Sequence, residues 1–168
     1  MPELLIRLTK RSPADYTLTC VRADGSVTTQ PTRGDSARFF PFHDLSHYAV
    51  ETVLGQRRGF YGLVCEGWQL SDFTQRGASR LLPPESIATE QLVALFDGER
   101  TAGKRWSAAE FNDSLAQFLK NSGRDFTPRA LGEAELENVR AEQTRLATLW
   151  RALPVGQTLE LAFSRAAV

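Results

Sequence analysis

Residues 23–26, Ala23-Asp24-Gly25-Ser26, sit between two runs in which apolar and polar side chains alternate. Asp-Gly between alternating runs is a strong hairpin signal, because both central positions tolerate positive φ. Alternation with a period of two belongs to a strand with one buried face. The segment 16–22, YTLTCVR, places Tyr16, Leu18 and Cys20 on one side, and 26–30, SVTTQ, forms the return strand. Pro31 is expected to end that strand, since proline has no N–H for a ladder. Upstream, 4–10, LLIRLTK, aligns Leu4, Ile6 and Leu8 against Arg7 and Thr9. Far downstream, 157–165, QTLELAFSR, alternates again through Leu159, Leu161 and Phe163.

Between the third and fourth of these strands the period changes to that of helices. Pro41 suits the first turn of a helix, where its missing N–H is not needed, and Gly55 suits the position just past the end. A helix over 41–54 is therefore expected. A second is read at 88–99, ATEQLVALFDGE. Ser107 followed by Glu110 forms a capping box that starts a third. That helix carries Phe111, Leu115, Phe118 and Leu119 on one stripe and stops at 121–123. A fourth, over 133–152, has a stripe of Leu136, Val139, Leu146, Leu149 and Trp150 with one polar break at Gln143. Residues 71–86 read as a loop with Pro83-Pro84 near its end. In GFYGLVCEGW, 59–68, periodicity does not decide between a short helix and an irregular turn.

The order strand, strand, strand, helices, strand implies an α+β fold. We expect one domain over 1–168: an antiparallel sheet of about four strands, made of an N-terminal meander plus the C-terminal strand, with about five helices on one face. A chain of 168 residues builds such a core without staples.

Both histidines of the chain lie in Phe42-His43-Asp44-Leu45-Ser46-His47-Tyr48-Ala49-Val50-Glu51. Random placement gives two residues this separation about one time in eighty-five. Four apart is the spacing of helical neighbours. On the expected helix His43 and His47 lie about 40° apart, and Glu51 follows after another 40° or so. Imidazole and carboxylate suit zinc and several other divalent metals. His43, His47 and Glu51 are thus the candidate metal ligands, with Asp44 as a general base or a partner that orients a ligand. Three ligands from one helix is a demanding geometry, so a further ligand from elsewhere is expected. Asp35, Glu66 and Asp72 are the nearest carboxylates in sequence.

The pattern His43-Asp44-x-x-His47 resembles the H-E-x-x-H helix of zinc metalloproteases over five residues, with Asp44 where Glu stands. The doublet His43-Asp44 is also similar to that of HD-type phosphohydrolases, which need further histidines that this chain lacks. A wider string, H-D-L-x-H-x-x-V-E followed by G-F-x-G, resembles a group of small uncharacterised bacterial proteins. It is carried by His43, Asp44, Leu45, His47, Val50, Glu51, Gly59, Phe60 and Gly62. That resemblance implies a shared site or shared packing, and no activity.

Two readings follow. In one, a divalent-metal site on the helix at 41–54 performs metal-assisted hydrolysis. In the other, the chain is a non-enzymatic binding or interaction protein, a homo-oligomer among the options, in which His43 and His47 are structural. Beside these stands a metal-free acid–base or anion site, with Arg33, Arg38, Arg57 and Arg58 bracketing the histidine helix. Ser46 does not face His47, so a Ser–His nucleophile is not expected. Cys65 would be a nucleophile only if the fold brought it to His47 in an electropositive setting. Cys20 points with the apolar face and is read as an inert core thiol.

Twenty basic residues balance twenty acidic ones, which excludes nucleic-acid binding by bulk charge. No run reaches the roughly 20 apolar residues of a membrane span, and Met1–Arg11 has no signal-peptide pattern. Two unpaired cysteines suit a reducing compartment, so a cytoplasmic protein is expected.

Overall fold

The computed structural model describes residues 1–123 and 126–165. Its sheet is built from β1 (Leu4–Ser12), β2 (Asp15–Arg22), β3 (Val27–Arg33) and β4 (Thr158–Phe163) in the order β3-β2-β1-β4. Every neighbouring pair is antiparallel. Leu4, Ile6 and Leu8 lie opposite Arg22, Cys20 and Leu18 on one side and Phe163, Leu161 and Leu159 on the other. The alternation read from sequence thus becomes one continuous apolar face. At the hairpin, Gly25 adopts φ 85° and Asp24 Oδ1 accepts from Ser26 N at 2.9 Å.

β3 continues through Pro31 to Arg33, three residues beyond the expected last strand residue, Gln30. The reason is its place at the edge, where alternate N–H groups face away from the ladder and proline is tolerated. The opposite face of the sheet carries polar pairs: Arg7 with Glu160 at 2.8 Å, Thr9 with Thr158, and Thr19 with Thr29.

Five helices cover the apolar face: α1 (Ser36–Val53), α2 (Phe60–Cys65), α3 (Pro84–Ala102), α4 (Ala108–Asn121) and α5 (Glu133–Ala152). α1 starts five residues before Pro41, not at it. Gly34, at φ 70°, turns the chain out of β3, and burial of Ala37 holds the extra turn. The ring of Pro41 is accommodated in the second turn of the helix. α1 ends as expected, with Gly55 at φ 65° beyond Leu54.

α2 resolves the ambiguous glycine-rich segment as a short helix. Only glycine fits at residue 62, because a Cβ there would stand 2.1 Å from the Arg57 carbonyl oxygen. The segment 71–86 contains two single 3-10 turns, Leu70–Thr74 and Ala78–Arg80, and α3 begins at Pro84. α3 is longer than expected at both ends because Pro84 occupies the first turn and Gly103, at φ 63°, caps the last. α4 has the Ser107–Glu110 box, with Ser107 N donating to Glu110 Oε2 at 2.8 Å and Ser107 Oγ accepting from Glu110 N. Phe111, Leu115 and Leu119 are buried, whereas Phe118 is exposed. α5 occupies 133–152 as read. Among the described residues no helix is long and apolar enough to cross a membrane.

Candidate metal centre

α1 lies between the sheet and the helices α3 and α5, so its inward residues are removed from water on most sides. Burial reaches His47, Asp44, Ser46 and Glu51 along with Leu45, Ala49 and Val50. Four polar side chains on a buried helical face need partners, since an unpaired buried polar group is costly. The partners come from α2, α3, α5 and β2.

His43 and His47 share a face, their ring centroids 4.8 Å apart and their planes nearly perpendicular. Each ring is held through Nδ1 by a buried carboxylate. Asp97 Oδ2 of α3 lies 2.9 Å from His43 Nδ1, and Glu51 Oε1 lies 3.3 Å from His47 Nδ1. Burial works against a charge on Asp97, but hydrogen bonds from His43 and Ser46 outweigh it and hold the carboxyl below its usual range. An ionised carboxylate only accepts, so His43 Nδ1 carries the proton and its Nε2 is left as the basic nitrogen. Behind this contact, Gln143 of α5 donates from Nε2 to Ser46 Oγ at 2.7 Å, and Ser46 Oγ donates to Asp97 Oδ1 at 2.7 Å. The polar break in the α5 stripe and the serine between the histidines thus form a relay that fixes Asp97. Ser46 is spent in that relay and does not serve as a nucleophile.

Glu90, one turn into the buried part of α3, completes the set. Its Oε1 stands 3.2 Å from His47 Nε2. His43, His47 and Glu90 form the one group of three metal-ligating side chains found among the described residues, with ligand atoms all within 4.8 Å of one another. Bonds of 2.0–2.1 Å in a tetrahedron put ligand atoms about 3.3 Å apart. The His47–Glu90 edge already has that length. The widest edge must contract by roughly 0.6 Å before one ion can touch both atoms, since two such bonds span at most about 4.2 Å. Of the His47–Glu90 pair, Glu90 is the more adjustable, its side chain 40% exposed against 2% for His47.

Glu51, expected as a ligand, is occupied elsewhere. Its Oε1 accepts from Tyr61 N at 3.2 Å as well as from His47, and its Oε2 accepts from Gly62 N at 3.1 Å. It therefore ties α2 to α1 and orients the His47 ring. Two of the nearby carboxylates are committed locally: Glu66 pairs with Arg58, and Asp72 accepts from Gln69 N. Asp35 stands at the N-cap position of α1 without a side-chain capping bond and is not part of the histidine cluster. Glu90 stands where the additional ligand was expected.

Asp44 lies beside the histidines in the wall of a cavity of about 540 Å³ that also includes His43, His47 and Glu90, with Phe60 and Phe73 on the apolar side. Its Oδ2 accepts from Tyr16 Oη at 2.7 Å. Burial pushes its carboxyl up to about 6, against the opposing pull of Tyr16 and the histidines. At His47 burial disfavours the cation, but the charges of Glu90 and Glu51 prevail and push it up to about 10. Without an ion, the ring has a carboxylate on each nitrogen and carries both protons.

The bracketing arginines do not assemble into an anion site. Arg33 pairs with Asp15 on the edge strand, Arg58 pairs with Glu66, and the backbone N–H groups of Arg57 and Arg58 donate to Glu85. Cys65 sits by Glu3 and Arg165, and burial followed by the Glu3 charge pushes its thiol up to about 11. It has none of the activation a nucleophile needs. Cys20 is buried in the core as read.

No protein family, curated protein or solved structure matches the chain.

Proposed function

We propose that the chain binds a divalent metal ion, zinc or one with similar preferences, through His43 Nε2, His47 Nε2 and a Glu90 oxygen, and uses it in hydrolysis. The observation that supports this most is the treatment of the two Nδ1 atoms. Each is fastened to a buried carboxylate, which is how metal-ligating histidines are oriented, and this leaves the Nε2 of each ring for an ion, that of His47 beside Glu90. Three protein ligands leave a fourth position for water, the arrangement of catalytic rather than structural zinc. A bound ion there would lower the pKa of a coordinated water to near neutrality.

Asp44 would take the proton from that water. Its carboxyl, pushed up by burial to about 6, lies in the range where a base works near neutral pH. Tyr16 Oη steadies the carboxylate from the β2 side. The cavity lined by Phe60 and Phe73 would receive an apolar portion of the substrate.

One observation favours a second reading. His47 has a carboxylate on both nitrogens, so its charge is balanced without any ion. In that reading the cluster is a structural charge network and the chain is a non-enzymatic binding protein. Elemental analysis of protein purified without a histidine tag separates the two, with His47→Ala and Glu90→Gln beside the wild type. Near-stoichiometric metal in the wild type, lost in both variants, is the expected result. No metal in the wild type, even after reconstitution with zinc, manganese, iron or nickel, overturns the metal reading.

A further inference from the structure

A second cavity, of about 390 Å³, lies between the C-terminal half of α3, the turn after it, and α5. Its wall holds five cations, Arg100, Lys104, Arg105, Arg140 and Arg151, against one carboxylate, Glu99. The chain as a whole has no net charge, so this is a local concentration and not a share of a basic surface.

Part of it is structural. Arg140 is buried and fixed, its Nε and Nη2 on Glu99 at 2.9 and 2.6 Å and its Nη1 on Glu137 at 2.6 Å. Arg105 shares Glu137 at 2.9 Å. Arg100 reaches Asp97 Oδ1 with one nitrogen at 3.3 Å. Three carboxylates, Glu99, Glu137 and Asp97, thus answer three of the five cations. Lys104 and Arg151 make no ion pair at contact distance among the described residues, although Lys104 is near enough to Glu110 to add slightly to the lowering of its carboxyl by the Ser107 hydrogen bonds. The cleft keeps a surplus of about two positive charges. The end of α3 at Gly103 contributes only about half a negative charge from its carbonyls, so it does not cancel that surplus.

Two further details concern the surplus. Arg100 and Arg151 both lie over the ring of Phe42, each 5.1 Å from its centroid, which holds the two guanidiniums within about 10 Å of each other. At a separation of up to about one Debye length they repel only weakly, and a bound anion would offset that repulsion. Arg100 Nε is also the one buried side-chain nitrogen or oxygen without a hydrogen-bond partner among the described residues. A buried donor without an acceptor is uncommon enough to call for an explanation such as a bound ligand or ion.

We propose that this cleft binds a small-molecule phosphate or phosphoryl group through Arg100, Lys104 and Arg151. The class follows from the donors. Guanidinium groups present paired N–H donors that match the oxygens of a phosphate, and lysine adds a mobile point charge. A dianion balances the surplus of two, whereas a monocarboxylate leaves one cation unanswered. Thr144 lines the cleft, but its hydroxyl donates to the Arg140 carbonyl at 2.9 Å, so recognition falls to the cations.

The test is calorimetric titration of chelator-treated protein with inorganic phosphate at low ionic strength. Lys104→Gln and Arg151→Gln change exposed side chains outside the packed core and leave the fold intact. Saturable one-site binding is expected, weakened about fivefold or more by each substitution and lost in the double variant. Arg7→Gln, on the open face of the sheet, and Arg33→Gln, an exposed side chain in the wall of the histidine cavity, leave it unchanged. The proposal is overturned if phosphate does not bind saturably or if the two cleft substitutions have no effect. It is also overturned if Arg7→Gln weakens binding as much, which means diffuse charge, or if Arg33→Gln does, which places the anion at the histidine cavity.

Discussion

Glu51→Gln isolates the charge of one buried carboxylate while keeping its shape. Glu51 is 1% exposed and accepts three hydrogen bonds, from His47 Nδ1, Tyr61 N and Gly62 N. Glutamine has one oxygen where glutamate has two. If its NH₂ takes the Oε2 place, the Gly62 N–H is left facing a donor. If it takes the Oε1 place, both Tyr61 N–H and His47 Nδ1 lose their acceptor. The first is cheaper and leaves one buried donor unpaired, at about 1–3 kcal/mol. The two surviving bonds fall from charge-assisted to neutral strength, about 1 kcal/mol each. Release of the carboxylate from its costly burial offsets part of this. A net loss of about 2–4 kcal/mol follows. Urea unfolding followed by tryptophan fluorescence reads it as a midpoint lowered by roughly 1–2 M at unchanged slope. A midpoint that moves by less than the equivalent of about 0.5 kcal/mol refutes the assignment of Glu51 as the clamp between α1 and α2. If the metal reading holds, the same variant also weakens metal binding about 10–100-fold by loosening the His47 ring.

Gly62→Ala places a methyl 2.1 Å from a backbone oxygen that has no rotamer to escape through. A loss of about 3 kcal/mol or more, or failure to accumulate as soluble protein, is expected, and thermal unfolding checks it. Cys65 has its thiol pushed up to about 11, so the folded state excludes the thiolate at neutral pH. Its alkylation by iodoacetamide is expected to rise about tenfold per pH unit from pH 8 to 10, and an early plateau near the ordinary thiol value contradicts the burial argument. On the metal reading, an ion displaces a proton from His47; burial disfavours that proton, but the flanking carboxylates hold it and push the ring up to about 10. Zinc affinity is therefore expected to climb with pH by about tenfold per unit between 6 and 8, and a flat profile argues that His47 is not a ligand.

The strands and α5 were legible because each advertises itself locally. Alternation, the Asp24-Gly25 turn and a capped amphipathic stripe need no knowledge of what lies opposite. Pro31 and Pro41 misled for the same reason, since tolerance of proline depends on whether a strand lies at an edge and on what holds the turn before it. At the site, the histidine pair and its helix could be read, while Glu90 and Asp97 could not be singled out. They come from another helix, and contact across helices leaves no local mark. A weak signal existed. Glu90 and Asp97 are seven apart, so they share a face to within about 20°. That face also carries the buried Ser86 and Val93, although Ala94 and Thr101 on it are exposed. Carboxylates beside buried residues need partners there, and a histidine pair on another helix supplies them.

β1 lies inside the sheet, with β2 on one side and β4 on the other. Its pairing with β2 closes across a few residues, whereas Leu4 meets Phe163 across most of the chain. The entropy of closing so long a loop grows only slowly with length, but contacts this distant in sequence form late and slow the folding rate. Until β4 arrives, β1 presents an open edge of unpaired N–H and C=O groups beside its apolar face, a template for pairing with another chain. The histidine helix waits on the same event, because Tyr48 Oη donates to the Ala162 carbonyl and Tyr48 and Tyr61 pack on Phe163. A nascent chain stalled before β4 would therefore expose a sticky strand edge together with a histidine helix that lacks its Tyr48 contacts.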